Sequence, residues 1–341
     1  MENSYKKIHH DEKIFIAGGS GMVGSAVNRA LQKKGYGCPS NSGIIYSPSR
    51  KEVDLTDYKA VNDWFEKFKP TVVIIAAAKV GGIFANHKYP YDFLLENLKI
   101  QTNLIEISWL KGVKRLLFLG SSCIYPKFAK QPIKEEYLLT DYLEKTNEYY
   151  AIAKISGLKL CEALNIQHGF DAISLMPTNL YGIGDNYHLN NSHVMPALIR
   201  KYSEAKKNNL DYVTCWGSGD PMREFLFVDD LADACIFALE NWDPQKTSSP
   251  KKSNGENLYW LNVGSNYEIS IKDLAKKISK IIGFKGQTNW DRDKPDGTPR
   301  KKLDITNLSN IGWYAKTNLD EGINLTYKNF CKIYNSNLIR D

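Results

Sequence analysis

The chain has 341 residues, 43% hydrophobic and 24% charged, with a formal net charge of +7. This composition suits a globular protein with a sizeable core, as one large domain or two fused ones. The basic residues are scattered, and SPKKS and TPRKK lack interleaved aromatics, so no nucleic-acid partner is expected; an anionic small substrate accounts for the charge equally well. Cys38, Cys123, Cys161, Cys215, Cys235 and Cys331 are spread singly without a CxxC, so neither a metal site nor a disulfide framework is expected, and a reducing cytoplasm fits best. The polar start and the short apolar run IFIA predict no signal sequence and no membrane span.

Along the chain, short β-type runs alternate with longer amphipathic stretches: KIFIAGG, GMVGSAVNRALQKKG, GIIYS, LTDYKAVNDWFEKF, TVVIIAAA, FLLENLKIQTNLIEISWLKG and RLLFLGSS. That alternation predicts a doubly wound parallel sheet of the Rossmann type, with ligands at the carboxyl ends of the strands. DAISLMPTNLYG and REFLFVDD read as further strands continuing the pattern. Beyond Tyr181 the spacing becomes irregular, which predicts a smaller C-terminal α/β lobe assembled from several returns of the chain. The expected division is a cofactor domain over 12–180, with returns around 222–240 and 258–264, and a substrate domain over most of 181–335. The stretch 241–257, rich in Pro, Ser, Lys and Asn, reads as an exposed loop.

The first turn places Gly18, Gly19, Ser20, Gly21, Met22, Val23 and Gly24 between a buried strand and an amphipathic helix, where free helix amides meet a pyrophosphate. A carboxylate closing the second strand would select NAD by binding the ribose 2′-hydroxyl. Here that strand ends in YSPSRK, so Arg50 and Lys51 are candidates for a 2′-phosphate, and NADP (as NADPH) is preferred.

Further on, LFLGSSCIYPK brings Ser121, Ser122 and Cys123 off a buried strand, and EYYAIAK follows. Residues four apart share a helix face, so Tyr150 stacks over Lys154, whereas Tyr149 points elsewhere. A serine hydroxyl and a tyrosine phenol that both bond a substrate carbonyl, beside a lysine that depresses the phenol's pKa, make a ketone-reductase arrangement.

AAAKVGG, GSSCIYPK, TNEYYAIAK, MPTNLYG, NSHVMPAL, WGSGDPMREF and KPDGTPRK occur in order from Lys13 to about Phe330. In this the chain resembles the extended short-chain dehydrogenase/reductases and, within them, the GDP-L-fucose synthase family of bifunctional epimerase-reductases. The resemblance implies Ser121, Tyr150 and Lys154 as the reductive triad, with Tyr150 the proton donor and Lys154 also holding the nicotinamide ribose. It implies Cys123 and His193 as the epimerase pair, with His193 also near the cofactor. It adds Leu119, Gly120, Ser121 and Ser122, and Pro177, Thr178, Asn179 and Leu180, to the cofactor site. Lys201, Trp216, Arg223 and Asp296 fall in motifs resembling the nucleotide-sugar site, with the Arg223 guanidinium suited to a diphosphate and the Asp296 carboxylate to guanine.

A C4 ketone acidifies the protons at C3 and C5, and inversion needs a base on one face and an acid on the other, roles that thiolate and imidazolium fill. The expected partner is therefore a GDP-linked 4-keto-6-deoxy sugar, and the expected assembly a homodimer. Two departures bear on the cofactor: Ser20 stands where the family commonly has a basic residue, and Pro48 stands near the place of a second arginine. The alternatives are a C4-reductase acting on a GDP-4-keto-6-deoxy-heptose epimerised by another enzyme and, from a different class, a non-catalytic nucleotide sensor.

Overall fold

A computed structural model describes residues 7–188, 191–294 and 296–336. The chain runs through β1 (Lys13–Ala17), α1 (Met22–Lys33), β2 (Ile44–Tyr46), α2 (Tyr58–Phe68), β3 (Val72–Ile75), α3 (Ile83–Lys88), α4 (Pro90–Leu110), β4 (Arg115–Leu119), α5 (Glu148–His168) and β5 (Ala172–Pro177). It continues through β6 (Asn179–Tyr181), α6 (Val194–Lys207), β7 (Tyr212–Trp216), β8 (Met222–Phe227), α7 (Val228–Asn241), β9 (Trp260–Val263), β10 (Glu268–Ser270), α8 (Ile271–Ile282), β11 (Gln287–Asp291), β12 (Arg300–Lys301), α9 (Thr306–Asn310) and α10 (Leu319–Asn335).

The main sheet has six parallel strands in the order β2-β1-β3-β4-β5-β9. β3, β4 and β5 are buried along their whole length, which explains their continuous apolar runs: helices cover both faces of a parallel sheet, so neither face tolerates polar side chains. The strand order reverses beside β1, the kind of switch point where such sheets open a crevice at their carboxyl edge.

REFLFVDD departs from the expected continuation. It forms β8 of a second sheet, pairing parallel with β6 and β12 and antiparallel with β10, while β9 takes the edge of the main sheet next to β5. The helix that follows, α7, returns to pack against α1, and the Arg29–Asp229 ion pair at 2.6 Å joins them. β7 and β11 pair separately. Among the described residues two hydrophobic clusters result, one around the main sheet and one around α6, β8, α8 and α10. The stretch 241–257 is mostly exposed but tied down, with Gln245 Nε2 donating to Asn165 Oδ1 at 2.7 Å.

Candidate active site

The turn after β1 is built for close approach. Gly18 has φ +81°, and a Cβ there would lie 2.8 Å from the Ala77 backbone beyond β3. A Cβ on Gly24 would meet the Gly18 carbonyl oxygen at 2.2 Å, so only glycine lets α1 pack this tightly on the turn. Gly21 is the N-cap of α1 and no side chain caps the helix, so its first-turn amides, at Met22, Val23 and Gly24, face the crevice without a side-chain acceptor. Gly19 abuts Ser47, which brings the loop beyond β2 alongside the turn that includes Ser20. Arg50 and Lys51 are exposed on that loop, with Arg50 Nη2 4.0 Å from Asp54. The fit to a dinucleotide therefore rests on backbone shape at the turn and on exposed cations at its margin.

Leu119 closes β4, and Gly120 and Ser121 lead into a short 3-10 turn over Ser122–Ile124. Pro177 ends β5, and Thr178, Asn179 and Leu180 cross from the main sheet toward the second. The amide of Thr178 donates to Val263 at 3.0 Å, and the side chains of Thr178 and Asn179 both donate to the Glu224 carbonyl, at 3.2 and 2.8 Å. Both expected cofactor segments thus lie at the carboxyl edge.

α5 orients the tyrosine and lysine as helical spacing requires. Tyr149 is 45% exposed, while Tyr150 is half-buried and Lys154 is 4% exposed. Burial pushes the phenol of Tyr150 well above its ordinary pKa, as does negative charge at Cys123, while the Ser121 hydroxyl alongside it acts the other way. Lys154 Nζ lies 6.0 Å from the centre of the Tyr150 ring and donates to the Leu119 carbonyl at 2.8 Å, and burial lowers its own pKa from 10.5 to about 7. Burial, first among the causes acting on Tyr150, leaves the phenol protonated and able to donate.

Cys123 follows Ser121 closely, its amide donating to the Ser121 hydroxyl at 3.2 Å. His193 is the N-cap of α6. The protein around it and the ammonium of Lys301 both lower its pKa. Trp216, 58% exposed, lies under the Lys201 ammonium at 5.7 Å, and Lys201 also donates to Thr214 at 3.0 Å. Asp296 accepts from the amide and hydroxyl of Ser218 at 2.7 and 2.8 Å, the contacts of a turn-fixing carboxylate. Arg223 is close enough to Asp296 and Cys123 for both to favour its charge against the effect of burial. Of the expected sugar-site residues, Arg223 is the one the electrostatics tie to Cys123, with Asp296 beside it, while Lys201 and Trp216 face each other and Arg50 and Lys51 stand on the exposed loop.

Residues 14–250 match the family described as "NAD dependent epimerase/dehydratase family". The chain belongs to this epimerase/dehydratase family. Among its relatives, a putative GDP-L-fucose synthase 2 of Arabidopsis thaliana is 51% identical over 96% of this chain and 94% of its own. The GDP-L-fucose synthase of Escherichia coli is 48% identical over 94% of this chain and 96% of its own. A solved structure, a GDP-mannoheptose C4 reductase from Campylobacter jejuni with NADP bound, aligns with a TM-score of 0.81 at 34% identity, covering 95% of this chain and 99% of that one. Within the epimerase/dehydratase family the chain groups with the GDP-L-fucose synthases.

One residue of this family member escapes sequence reasoning. Lys301 on β12 donates to the Cys123 sulfur at 3.4 Å. It closes the motif KPDGTPRK, whose Pro295 lies outside the described residues. Only the alternation of a two-residue strand hints at it, since Arg300 turns to Glu268 at 2.6 Å and its neighbour must face the other way. Asn147, beside Cys123 in the same recess, keeps a buried side-chain oxygen without a hydrogen-bond partner among the described residues.

Proposed function

We propose that the protein is an NADPH-dependent 3,5-epimerase and 4-reductase of a GDP-linked 4-keto-6-deoxy sugar, forming GDP-L-fucose or a close analogue. The observation carrying this reading is the convergence of Ser121, Cys123, Tyr150 and Lys154 at the carboxyl edge of the main sheet with Arg223 nearby on the second. The unit over 12–180, with returns around 228–240 and 258–264, is assigned to the cofactor, and most of 181–335, with β8, to the nucleotide sugar. Gly18 to Gly24, Arg50, Lys51, Leu119 to Ser122, Lys154, Pro177 to Leu180 and His193 would hold NADPH. When bound it supplies the hydride for C4.

The side chains perform the rest. Ser121 and Tyr150 hydrogen-bond the C4 oxygen, and Tyr150, whose burial retains its proton, gives that proton to the oxygen as C4 becomes an alcohol. Before reduction the same hydroxyls stabilise the enolate formed when Cys123, as thiolate, removes the proton at C3 or C5. His193, as imidazolium, returns a proton to the opposite face. Lys201, Trp216, Arg223 and Asp296 are assigned to the nucleotide and diphosphate.

The C4-only reading draws on the heptose-reductase likeness, and one experiment separates the two. Incubation with GDP-4-keto-6-deoxymannose and NADPH in deuterium oxide, followed by NMR, should give GDP-L-fucose labelled at C3 and C5. Cys123→Ser should abolish that label and let an unepimerised C4 alcohol accumulate, and His193→Asn should impair inversion. Reduction without label by the unmutated protein overturns the bifunctional reading.

We also infer a homodimer and a cytoplasmic setting. Tyr91 on α4 and Tyr149 and Ile152 on α5 leave apolar surface exposed on helices packed side by side, and the described cysteines are all free. Light scattering giving a monomer's mass overturns the first.

A further inference from the structure

Lys301 has more restraint than an ordinary surface lysine. Arg300 on one side is clamped to Glu268 by two hydrogen bonds at 2.8 and 2.6 Å. The side-chain amide of Gln131 pairs with the main chain on both sides of Lys301, donating to the Arg300 carbonyl at 3.1 Å and accepting from the Lys302 amide at 2.9 Å. The Leu303 amide donates to the buried Glu224 carboxyl at 3.0 Å, and the β8 register sets Lys301 opposite Arg223. The backbone is thus fixed from three directions, and the ammonium it carries meets the Cys123 sulfur at 3.4 Å.

The other charged groups facing that sulfur are already engaged or differently placed. Lys127, in the same recess, is paired with Glu144 at 2.6 Å. Arg223 donates to the Met222 carbonyl at 2.9 Å and has Asp296 nearby. Tyr150, on α5, is the neutral neighbour from the other side. Among the described residues Lys301 is the cation seen donating to the thiol.

We propose that Lys301 is a positioning residue for the epimerisation half-reaction, its ammonium holding Cys123 in the thiolate form and aiming the sulfur into the cleft. This rests on the epimerase reading above. In the step it supports, the thiolate takes the proton from C3 or C5 and becomes a thiol, and the C–H electron pair moves into the enolate with charge on the C4 oxygen. The imidazolium of His193 gives its proton to the opposite face and becomes neutral. Exchange with water restores both groups. The same ammonium opposes protonation of His193, so one fixed charge favours the base on one face and sharpens the acid on the other.

The test uses Lys301→Met, Lys301→Gln and Lys301→Arg in the full chain, with NADPH affinity and circular dichroism confirming the fold. Alkylation of Cys123 by iodoacetamide, followed by mass spectrometry of the Cys123 peptide across pH 5 to 10, reads the thiolate directly and needs no substrate. The half-maximal pH should rise by about one unit or more in the Met and Gln variants and return most of the way in Lys301→Arg. Deuterium entry at C3 and C5 should show both limbs of its pH profile displaced upward by the same two substitutions. An unchanged alkylation midpoint in a folded Met or Gln variant overturns the proposal. Absence of deuterium entry in the unmutated protein instead defeats the epimerase reading, while the alkylation result still decides the role of Lys301 on its own.

Discussion

The Lys154 ammonium sits 2.8 Å from the Leu119 carbonyl in packed protein, with a pKa lowered by burial to about 7. Between about pH 7 and 10.5 the unfolded chain binds more protons at this position than the folded one, so stability rises with pH across that window. At and below pH 7 the buried charge is a full destabilising contribution. Lys154→Met should therefore stabilise the cofactor-free protein at pH 6, by a free energy of order a few kcal/mol less the cost of leaving Leu119 without its donor, and so raise its melting temperature. That gain should shrink toward pH 10, while reduction is lost; calorimetry at the two pH values checks the sign. Tyr150→Phe should lower C4 reduction by about 10²-fold or more with NADPH affinity retained, whereas Tyr149→Phe should stay within a few-fold, because its ring faces solvent. Comparable losses in steady-state assays would contradict the face assignment. At this scale helical spacing alone separated the two tyrosines and set Lys154 on the face of Tyr150, 6.0 Å from its ring, but not its hydrogen bond to a carbonyl on a strand 35 residues away.

The strand-turn-helix from β1 to α1 depends on two glycines for different reasons, positive φ at Gly18 and helix contact at Gly24. Gly24→Ala puts a methyl group against backbone, which has no side-chain rotamer to move, so the helix must shift. We expect a lower melting temperature and NADPH binding weaker by about tenfold or more, read by thermal unfolding and by cofactor fluorescence titration. The loop beyond β2 gives a separate prediction. Arg50→Ala with Lys51→Ala should raise the KM for NADPH and leave that for NADH nearly unchanged, since exposed cations select a 2′-phosphate without shaping the turn. Equal effects on both cofactors would put the phosphate elsewhere. These elements are legible in the sequence because each is contiguous: an apolar run, a glycine turn and an amphipathic helix carry their own periodicities. β8 was legible as a strand but not as a member of the second sheet, since a run such as REFLFVDD suits either sheet.

Over the whole molecule, the candidate site draws its residues from both sheets. Ser121, Cys123, Tyr150 and Lys154 come from the main sheet and α5, and Arg223 and Lys301 from the second sheet. Ligands that bind the folded chain stabilise it by mass action, by about 2.7 kcal/mol at a concentration 100 times Kd. NADPH and GDP should each raise the melting temperature, and together raise it at least additively. A GDP effect absent in an Arg223→Ala variant but intact for NADPH would separate the two sites; no GDP effect in the unmutated chain would count against the nucleotide assignment.

The sequence by itself determined the fold class and singled out the cofactor turn and Ser121, Tyr150 and Lys154 as candidates, because periodicity and short motifs act between residues close along the chain. Tertiary structure alone decided where β8 pairs, what holds Lys154 and which cation reaches Cys123. The last contact joins residues 178 apart. Its formation depends on β12 docking beside β8 and on Gln131, Glu224 and Glu268 fixing the strand, interactions that exist only once separate segments have packed.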